Sequence, residues 1–246
     1  NTLKLLVDIV GVAPRLSAWL SRNAQLVDIL IETRPTSDDG DNFADDNVLD
    51  FADILDALRL DVHHSQFRTG VFLLANPTNF QTAGAQFADI ARRSISRLLP
   101  AVQHDIAARH GTLEQAEIAV IGMGKLGSGE MSLQSDLDLV IVCDSSDFAE
   151  TSDGDKPLAG DVWMARAARR LISGLTVPTQ EGSLYNVDMR LRPSGNAGPL
   201  VTKMASFTAY QQNDAWTWEH MALTQASVID GSPDLVARLN AVMVDV

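Results

Sequence analysis

Residues 135–143 read Ser-Asp-Leu-Asp-Leu-Val-Ile-Val-Cys, and this stretch decides the fold. The apolar run from Leu139 to Cys143 predicts a buried β-strand, because its residues suit a pleated sheet and none of them is charged. Residues two apart in a strand share one face, about 6.6 Å apart along the chain, so Asp136 and Asp138 are predicted to point together. Two carboxylates placed in this way can hold one cation.

A third carboxylate lies on a later predicted strand. Residues 184–191 alternate between apolar and polar side chains, which puts Asn186, Asp188 and Arg190 on one face. If the two strands are neighbours, Asp188 joins the pair formed by Asp136 and Asp138. Oxygen ligands without a histidine cluster favour Mg²⁺ or Mn²⁺ over Zn²⁺. Two such ions clamp the attacking and leaving oxygens of a displacement at phosphorus.

A structural alternative exists for the same acids. Asp136 could end an exposed strand and Asp138 could be a solvated edge residue. The apolar run that follows argues against this alternative, because it predicts burial, and a buried carboxylate without a partner is costly.

A glycine motif precedes the acidic strand. Residues 122–127, Gly-Met-Gly-Lys-Leu-Gly, match the dinucleotide-binding pattern G-x-G-x-x-G. A dinucleotide-binding unit needs a crossover helix between parallel strands, and the polar residues 128–135 are too few to supply one. A Walker A loop fails as well, because Lys125 is not followed by Ser or Thr. The competing interpretation makes Leu126-Gly127-Ser128 the opening of a short helix whose backbone N–H groups face a phosphate.

The rest of the chain is predicted to be mostly helical. The N-terminal third has apolar residues at helical spacing, interrupted by an acidic segment over residues 34–47 that is typical of a solvated loop. A long helix is expected to end near Ala108, before a strand at residues 118–121. Two later helices are expected at about residues 158–175 and 205–228. Their predicted inward-facing residues are Val162, Ala165, Ala168, Leu171 and Ile172 in the first, and Phe207, Tyr210, Trp218 and Met221 in the second.

Composition narrows the possible partners and the compartment. The chain has 19 Lys and Arg against 32 Asp and Glu, a formal charge of −13, so we expect no binding of nucleic acid. The single cysteine, Cys143, excludes an internal disulfide and favours a reducing, cytoplasmic setting. No apolar stretch is long enough to cross a bilayer, so no membrane association is expected. Because the chain starts at Asn1 rather than Met, we expect it to be a piece of a longer protein.

Several motifs together resemble a known family. They are the glycine motif at 122–127, Glu130-Met131, the acidic strand at 135–139, Val187-Asp-Met-Arg-Leu-Arg-Pro-Ser-Gly and Ala215-Trp-Thr-Trp-Glu-His. The combination resembles the nucleotidyltransferase domain of glutamine synthetase adenylyltransferase, within the DNA polymerase β-like superfamily. The resemblance implies an α+β fold, with an N-terminal helical region over residues 1–80 and a nucleotidyltransferase domain with C-terminal helices over residues 81–246.

The same resemblance implies an activity and a set of site residues. The implied reaction transfers AMP from ATP to a tyrosine of glutamine synthetase, with glutamine synthetase as partner and a PII-type signal protein acting through a longer chain. Asp136, Asp138 and Asp188 are implied as the catalytic ligands of Mg²⁺ or Mn²⁺. The residues implied in holding the nucleotide phosphates are Gly127, Ser128, Lys125, Arg190 and Arg192.

Alternatives to this activity stay open. Phosphorolytic removal of AMP from modified glutamine synthetase is the runner-up, since the family enzyme carries two related halves. A catalytically quiet regulatory module is the next alternative, because this chain has Gln225 and Ser227 where the family usually has arginines. Trp216 and Trp218 are candidates for stacking on adenine, although helical spacing favours Trp218 as a core residue and Trp216 as the exposed one.

Overall fold

The computed structural model describes residues 2–23, 26–31, 50–114, 116–145, 150–179 and 182–246. The helices are α1 (Thr2–Val12), α2 (Pro14–Arg22), α3 (Leu26–Ile31), α4 (Phe51–Ala75), α5 (Phe80–His110), α6 (Gly124–Ser128), α7 (Gly160–Thr176), α8 (Met204–Asn213), α9 (Thr217–Leu223) and α10 (Pro233–Asp245). The strands are β1 (Glu117–Gly122), β2 (Leu137–Asp144), β3 (Val187–Asp188), β4 (Thr202–Lys203) and β5 (Ser227–Asp230). The predicted α+β class is confirmed. The acidic segment at 34–47 lies outside the described residues.

The sheet is small and mixed, with β2 at its centre. β1 pairs antiparallel with β2 on one side and antiparallel with β5 on its other side. On its other edge, β2 pairs in parallel with β3 near its N-terminal end and with β4 near its C-terminal end. Since β1 and β2 are antiparallel, the short connector between them is sufficient, and the dinucleotide-binding alternative is excluded by the topology.

Both faces of β1 and β2 are buried, which explains their nearly unbroken apolar sequences. One face packs on α5 and α7 and contributes Leu137, Leu139 and Ile141 to the main core. The opposite face contributes Val140 and Val142 to a second core. That second core is completed by side chains of α8, α9 and α10, namely Met204, Phe207, Leu223, Leu235 and Leu239. Helices therefore cover the sheet on both sides and leave its ends open.

The N-terminal helices have a core of their own. Ile9 and Leu16 of α1 and α2 pack with Phe67 and Val71 of α4 in a third cluster. The first half of α4 instead contributes residues such as Leu58 to the main core beside the sheet. One continuous helix, α4, therefore joins two cores, and the division of the chain at residue 80 stays a prediction.

Two predicted elements are wrong. The helix expected over residues 205–228 is divided into α8 and α9, and its last part is the strand β5, because residues 227–230 pair with the edge of β1. The strand expected over residues 184–191 is reduced to Val187 and Asp188, since the backbone turns from Arg190 onward.

Three predicted core residues are also misplaced. Val162 of α7 is 42% exposed, and Trp218 and Met221 of α9 are 55% and 67% exposed. The inward face of α7 is offset by one residue from the predicted one, so that Trp163, Met164 and Ala167 are buried together with Ala168 and Leu171. Trp218 and Met221 lie outward because the end of α8 turns the chain before α9 begins.

Candidate active site

The parallel pairing of β2 with β3 brings two of the predicted acids together. In this register Leu137 lies beside Val187, and Asp138 lies beside Asp188. The backbone N–H of Leu137 donates to the carbonyl of Asn186 at 2.9 Å, which fixes the register at the start of both strands. The two strands are neighbours, so the condition for Asp188 to join Asp138 is met, and the two carboxylates belong to the same open end of the sheet.

The third acid, Asp136, lies just before β2 and is exposed. Its carboxylate accepts a hydrogen bond from the Asn186 side-chain amide at 3.1 Å. Within the part of the chain that is described, no three acidic, histidine or cysteine side chains are close enough together to form a ready-made metal cluster. Asp136 and Asp188 each accept hydrogen bonds from another side chain, that of Asn186 for Asp136 and that of Arg190 for Asp188.

Arg190 is the partner of Asp188. Its Nε lies 3.0 and 2.8 Å from the two carboxylate oxygens, and its Nη2 also pairs with the same group. The Arg190 backbone N–H donates to Asp188 at 2.8 Å as well. The hydrogen bonds from the guanidinium hold the pKa of Asp188 below its usual range. A positive charge therefore already occupies the position beside Asp188.

The pKa of Asp138 is shifted in the opposite direction from that of Asp188. Burial raises the pKa of its carboxyl group first, and the charges of Asp188 and Asp136 raise it further. Asp138 is thus close enough to the other two carboxylates for their charges to act on it, although the three acids are not arranged as a cluster. An oxygen-only donor set with mutual repulsion fits a hard divalent cation such as Mg²⁺ or Mn²⁺.

The glycine motif lies directly against Asp138. The Met123 N–H donates to the Asp138 carbonyl at 2.8 Å, and α6 begins at the next residue, Gly124. Gly124 has a left-handed backbone (φ +50°), and a Cβ there would lie 2.9 Å from Oδ2 of Asp138. Only glycine allows both the turn and the approach of the carboxylate. Gly124 is not among the site residues predicted from the sequence, although its position as the second glycine of the motif is an available signal.

The start of α6 differs from the prediction. Leu126-Gly127-Ser128 was expected to open this helix, but these residues form its end, and the Gly127 N–H already donates to the Met123 carbonyl at 3.1 Å. The expectation about the helix start is therefore wrong. The reason is that the turn at Gly124 follows immediately after β1, so the helix begins as soon as the strand ends.

Gly127 is constrained by the protein itself. A Cβ on Gly127 would lie 1.9 Å from the Gln225 carbonyl oxygen, so the segment after α9 packs directly on α6. Ser128 and Lys125 are exposed. Ser128 also lines a cavity of about 890 Å³ between the connector 128–134 and helices α1, α2, α4 and α5, and none of the three aspartates lines this cavity. Phosphate binding by Gly127, Ser128 and Lys125 stays a prediction.

Arg192 is only 9% exposed. Its guanidinium donates to three backbone carbonyls, those of Met189 (2.6 Å), Pro199 (3.1 Å) and Gly198 (3.4 Å). These bonds hold the loop that follows Asp188 in a fixed shape. The guanidinium is thus engaged with the backbone, whereas the side chain of Arg190 is 75% exposed. Of the two predicted phosphate-binding arginines, Arg190 is the one with free access to solvent.

The arrangement defines a class of protein. A small mixed sheet carries paired acids at the open ends of neighbouring strands, and a glycine turn opens a short helix against one of those acids. Together these features have the form of a nucleotidyltransferase-like α+β domain.

Comparison with known proteins identifies the family. Residues 3–242 match the glutamate-ammonia ligase adenylyltransferase family, and the chain belongs to that family. Its relatives include the bifunctional glutamine synthetase adenylyltransferase/adenylyl-removing enzymes of Brucella suis biovar 1 (strain 1330) and Bradyrhizobium sp. (strain ORS 278). Both are 42% identical to this chain over 99% of its length and 26% of their own. The corresponding enzyme of Mesorhizobium japonicum is 42% identical over 97% of this chain.

The match covers only part of each relative. The chain spans about a quarter of the length of the curated relatives it matches. In the described ranges, no helix is both long and apolar enough to cross a membrane.

Proposed function

We propose that the chain transfers AMP from ATP to a tyrosine hydroxyl of glutamine synthetase. The observation that supports this most directly is the register that places Asp138 beside Asp188, with the charge of Asp136 close enough to raise the pKa of Asp138. The names of the relatives supply the acceptor, because they describe adenylyltransferases of glutamine synthetase. A cytoplasmic location and control by a PII-type signal protein are part of the same proposal.

Asp136, Asp138 and Asp188 would hold Mg²⁺ or Mn²⁺ in this proposal. The bound cation would neutralise the triphosphate and lower the pKa of the acceptor hydroxyl. A cation at these acids would compete with the Arg190 guanidinium for the Asp188 carboxylate. Arg190 is mostly exposed, and its planar guanidinium would be suited to bind two oxygens of a phosphate once it is free of Asp188.

The reaction itself is a displacement at the α-phosphorus. The tyrosine oxygen forms a bond to the α-phosphorus, the bond from that phosphorus to the bridging oxygen breaks and releases pyrophosphate, and the hydroxyl proton passes to solvent water. The role of this chain's residues is to hold the reactants in line and to stabilise the charge that spreads over the phosphoryl oxygens. The Arg192 bonds contribute by keeping the loop after Asp188 in one conformation.

The decisive experiment incubates the chain with Mg²⁺, ATP and unmodified glutamine synthetase and analyses the product by intact-protein and peptide mass spectrometry. We expect one AMP on one tyrosine. Asp138→Asn and Asp188→Asn should each lower the rate by about three orders of magnitude or more. Asp89→Asn is the matched control, because Asp89 is an exposed acid on α5 that pairs with Arg93 away from the three site acids, and it should react like the wild type.

The relatives' names also include adenylyl removal, so the reverse process is the second candidate. It is tested with adenylylated glutamine synthetase and inorganic phosphate. Release of ADP, without any transfer from ATP in the forward assay, would replace the proposed direction. ATP binding with no turnover in either assay would instead support a regulatory module.

A further inference from the structure

Helix α9 presents an apolar surface to solvent. Trp216, Trp218 and Met221 are 71%, 55% and 67% exposed, and we call these three residues the α9 patch. Trp218 and Met221 are three residues apart in the helix and therefore lie on the same side. Large exposed aromatic and sulfur-containing side chains are typical of the centres of protein interfaces.

The patch is held rigidly. The Glu219 carboxylate accepts from the Trp216 backbone N–H at 2.8 Å and from the Tyr210 hydroxyl at 2.8 Å. On the opposite side, His220 contacts the Gln211 carbonyl at 2.9 Å, and Leu223 is buried in the second core. A rigid helix loses little conformational freedom when its exposed side chains are covered by a partner.

Helix α9, which carries the patch, is linked to the candidate active site on two sides. Tyr210, which is bonded to Glu219 of α9, also meets the backbone of Ser194 in the loop after Asp188. At the other end, the Gln225 carbonyl packs against Gly127 of α6, whose first residue contacts Asp138. Leu223 and Val140 share one core, so α9 lies over the same face of the sheet as Asp138.

We propose that the α9 patch docks the acceptor protein, glutamine synthetase, beside the candidate active site. The inference rests on the proposed function, because a transferase that modifies a tyrosine must hold a folded protein against its outer surface. Helix α9 is linked to the loop after Asp188 through Tyr210 and to α6 through the segment at Gln225, so a protein bound to the patch lies beside the segments that carry the candidate active site. A nucleobase is the less fitting occupant, because the paired Trp218 and Met221 form a broad outward surface on one helix side.

The test compares Trp218→Ser/Met221→Ser with wild type in steady-state adenylylation, varying glutamine synthetase and ATP separately. We expect the KM for glutamine synthetase to rise at least about tenfold, with kcat and the KM for ATP within about twofold of wild type. Leu3→Ser/Val7→Ser is the matched control, because these α1 side chains are 70% and 64% exposed and lie outside the site. It should leave all three constants unchanged.

Three kinetic results would overturn the inference. A raised KM for ATP would indicate that the patch binds the nucleobase. Unchanged constants would mean that something other than the acceptor covers the patch. A fall in kcat together with a lower melting temperature would indicate a structural role.

Binding of the chain to immobilised glutamine synthetase, measured by biolayer interferometry with Mg²⁺ and ATP, separates this inference from the proposed function. Weaker binding by the α9 variant supports docking even if no AMP is transferred. Absence of binding by the wild type, or equal binding by both, overturns it.

Discussion

Asp138 and Asp188 lie side by side, yet the pKa values of their carboxyl groups shift in opposite directions. The difference follows from their neighbours, because Asp188 has the Arg190 guanidinium and Asp138 has burial and two other acids. Arg190 thus compensates part of the repulsion among the acids. The same position is where a divalent cation would be expected to bind, so the guanidinium and the cation compete for Asp188.

Arg190→Gln should therefore lower the melting temperature of the metal-free chain and increase the stabilisation produced by Mn²⁺. Both effects follow because the variant leaves the acids without a compensating charge. Differential scanning fluorimetry with and without Mn²⁺ measures them, and Asp188→Asn should lose most of the rise in melting temperature that Mn²⁺ produces. If Mn²⁺ raises the melting temperature of Arg190→Gln less than that of wild type, the result contradicts competition for Asp188.

The same pair predicts a pH dependence. Because Arg190 lowers the pKa of folded Asp188, the pair contributes stability above the unfolded pKa of about 3.9 and loses it as pH falls through the folded value. The stability difference between wild type and Arg190→Gln should then be full near neutral pH and disappear in acid. Urea denaturation at a series of pH values measures this difference. If the stability difference between the two proteins becomes larger in acid, the result contradicts a stabilising Asp188–Arg190 pair.

Gly127 is predicted from the sequence to lie beside a phosphate, whereas in the structure its Cα lies against the Gln225 backbone. Gly127→Ala should destabilise the chain by about 2–3 kcal/mol, because the added methyl group meets backbone that must shift. Gly11→Ala is the control, since nothing lies within 4 Å of its Cβ position, and it should stabilise α1 by about 0.5 kcal/mol.

Equilibrium urea denaturation gives both values. If Gly127→Ala lowers ATP affinity and leaves stability unchanged, phosphate approach is the dominant role of this glycine. Loss of stability at saturating metal and nucleotide would support the packing role.

At the scale of elements, the sequence predicts β1, β2, α5 and α7 well, because in each the apolar residues that the core requires recur at the spacing of a helix or a buried strand. The wrong predictions of secondary structure concern β5 and β3. Residues 227–230 are a strand because β1 offers them an unpaired edge, and this edge cannot be seen from local sequence. Asp138 and Asp188 could be predicted as partners from strand alternation, whereas the contact of Gly127 with Gln225 depends on where α9 ends.

An ion pair at the end of the β1–β2 ladder shows how α10 is held. Glu117 and Asp144 are directly opposite each other in the register, and like charges in that arrangement repel. Arg238 of α10 donates to Glu117 at 2.7 Å and also to Asp144. One guanidinium therefore satisfies two opposed carboxylates and fastens the last helix to the sheet.

Arg238→Met should cost about 1–2 kcal/mol, more than an exposed pair because two partly buried acids lose their cation. Adding Glu117→Gln to Arg238→Met should recover part of the loss, since it removes the repulsion. Arg93→Met breaks an exposed pair with Asp89 and should cost under about 0.5 kcal/mol. Thermal and urea denaturation provide the comparison, and equal costs for the two arginine variants would contradict the role of Arg238.

At the scale of the molecule, the described residues form three cores, and α4 connects two of them, the N-terminal core and the main core. The N-terminal core contains Phe67 from the second half of α4, and the main core contains Leu58 from its first half. Opening of the N-terminal core therefore need not expose the sheet or its acids. A domain boundary at residue 80, predicted from the sequence, would instead make the whole of α4 part of the N-terminal unit.

Phe67→Ala separates these two possibilities. Phe67 is fully buried, so its truncation should cost about 3–5 kcal/mol within the N-terminal core. Hydrogen exchange followed by mass spectrometry should then show faster exchange in α1–α3 and the second half of α4, with the first half of α4 and β1–β2 still protected. Leu98→Ala, in the main core, is the control and should accelerate exchange throughout. Uniformly fast exchange along α4 in the Phe67 variant would favour the boundary at residue 80.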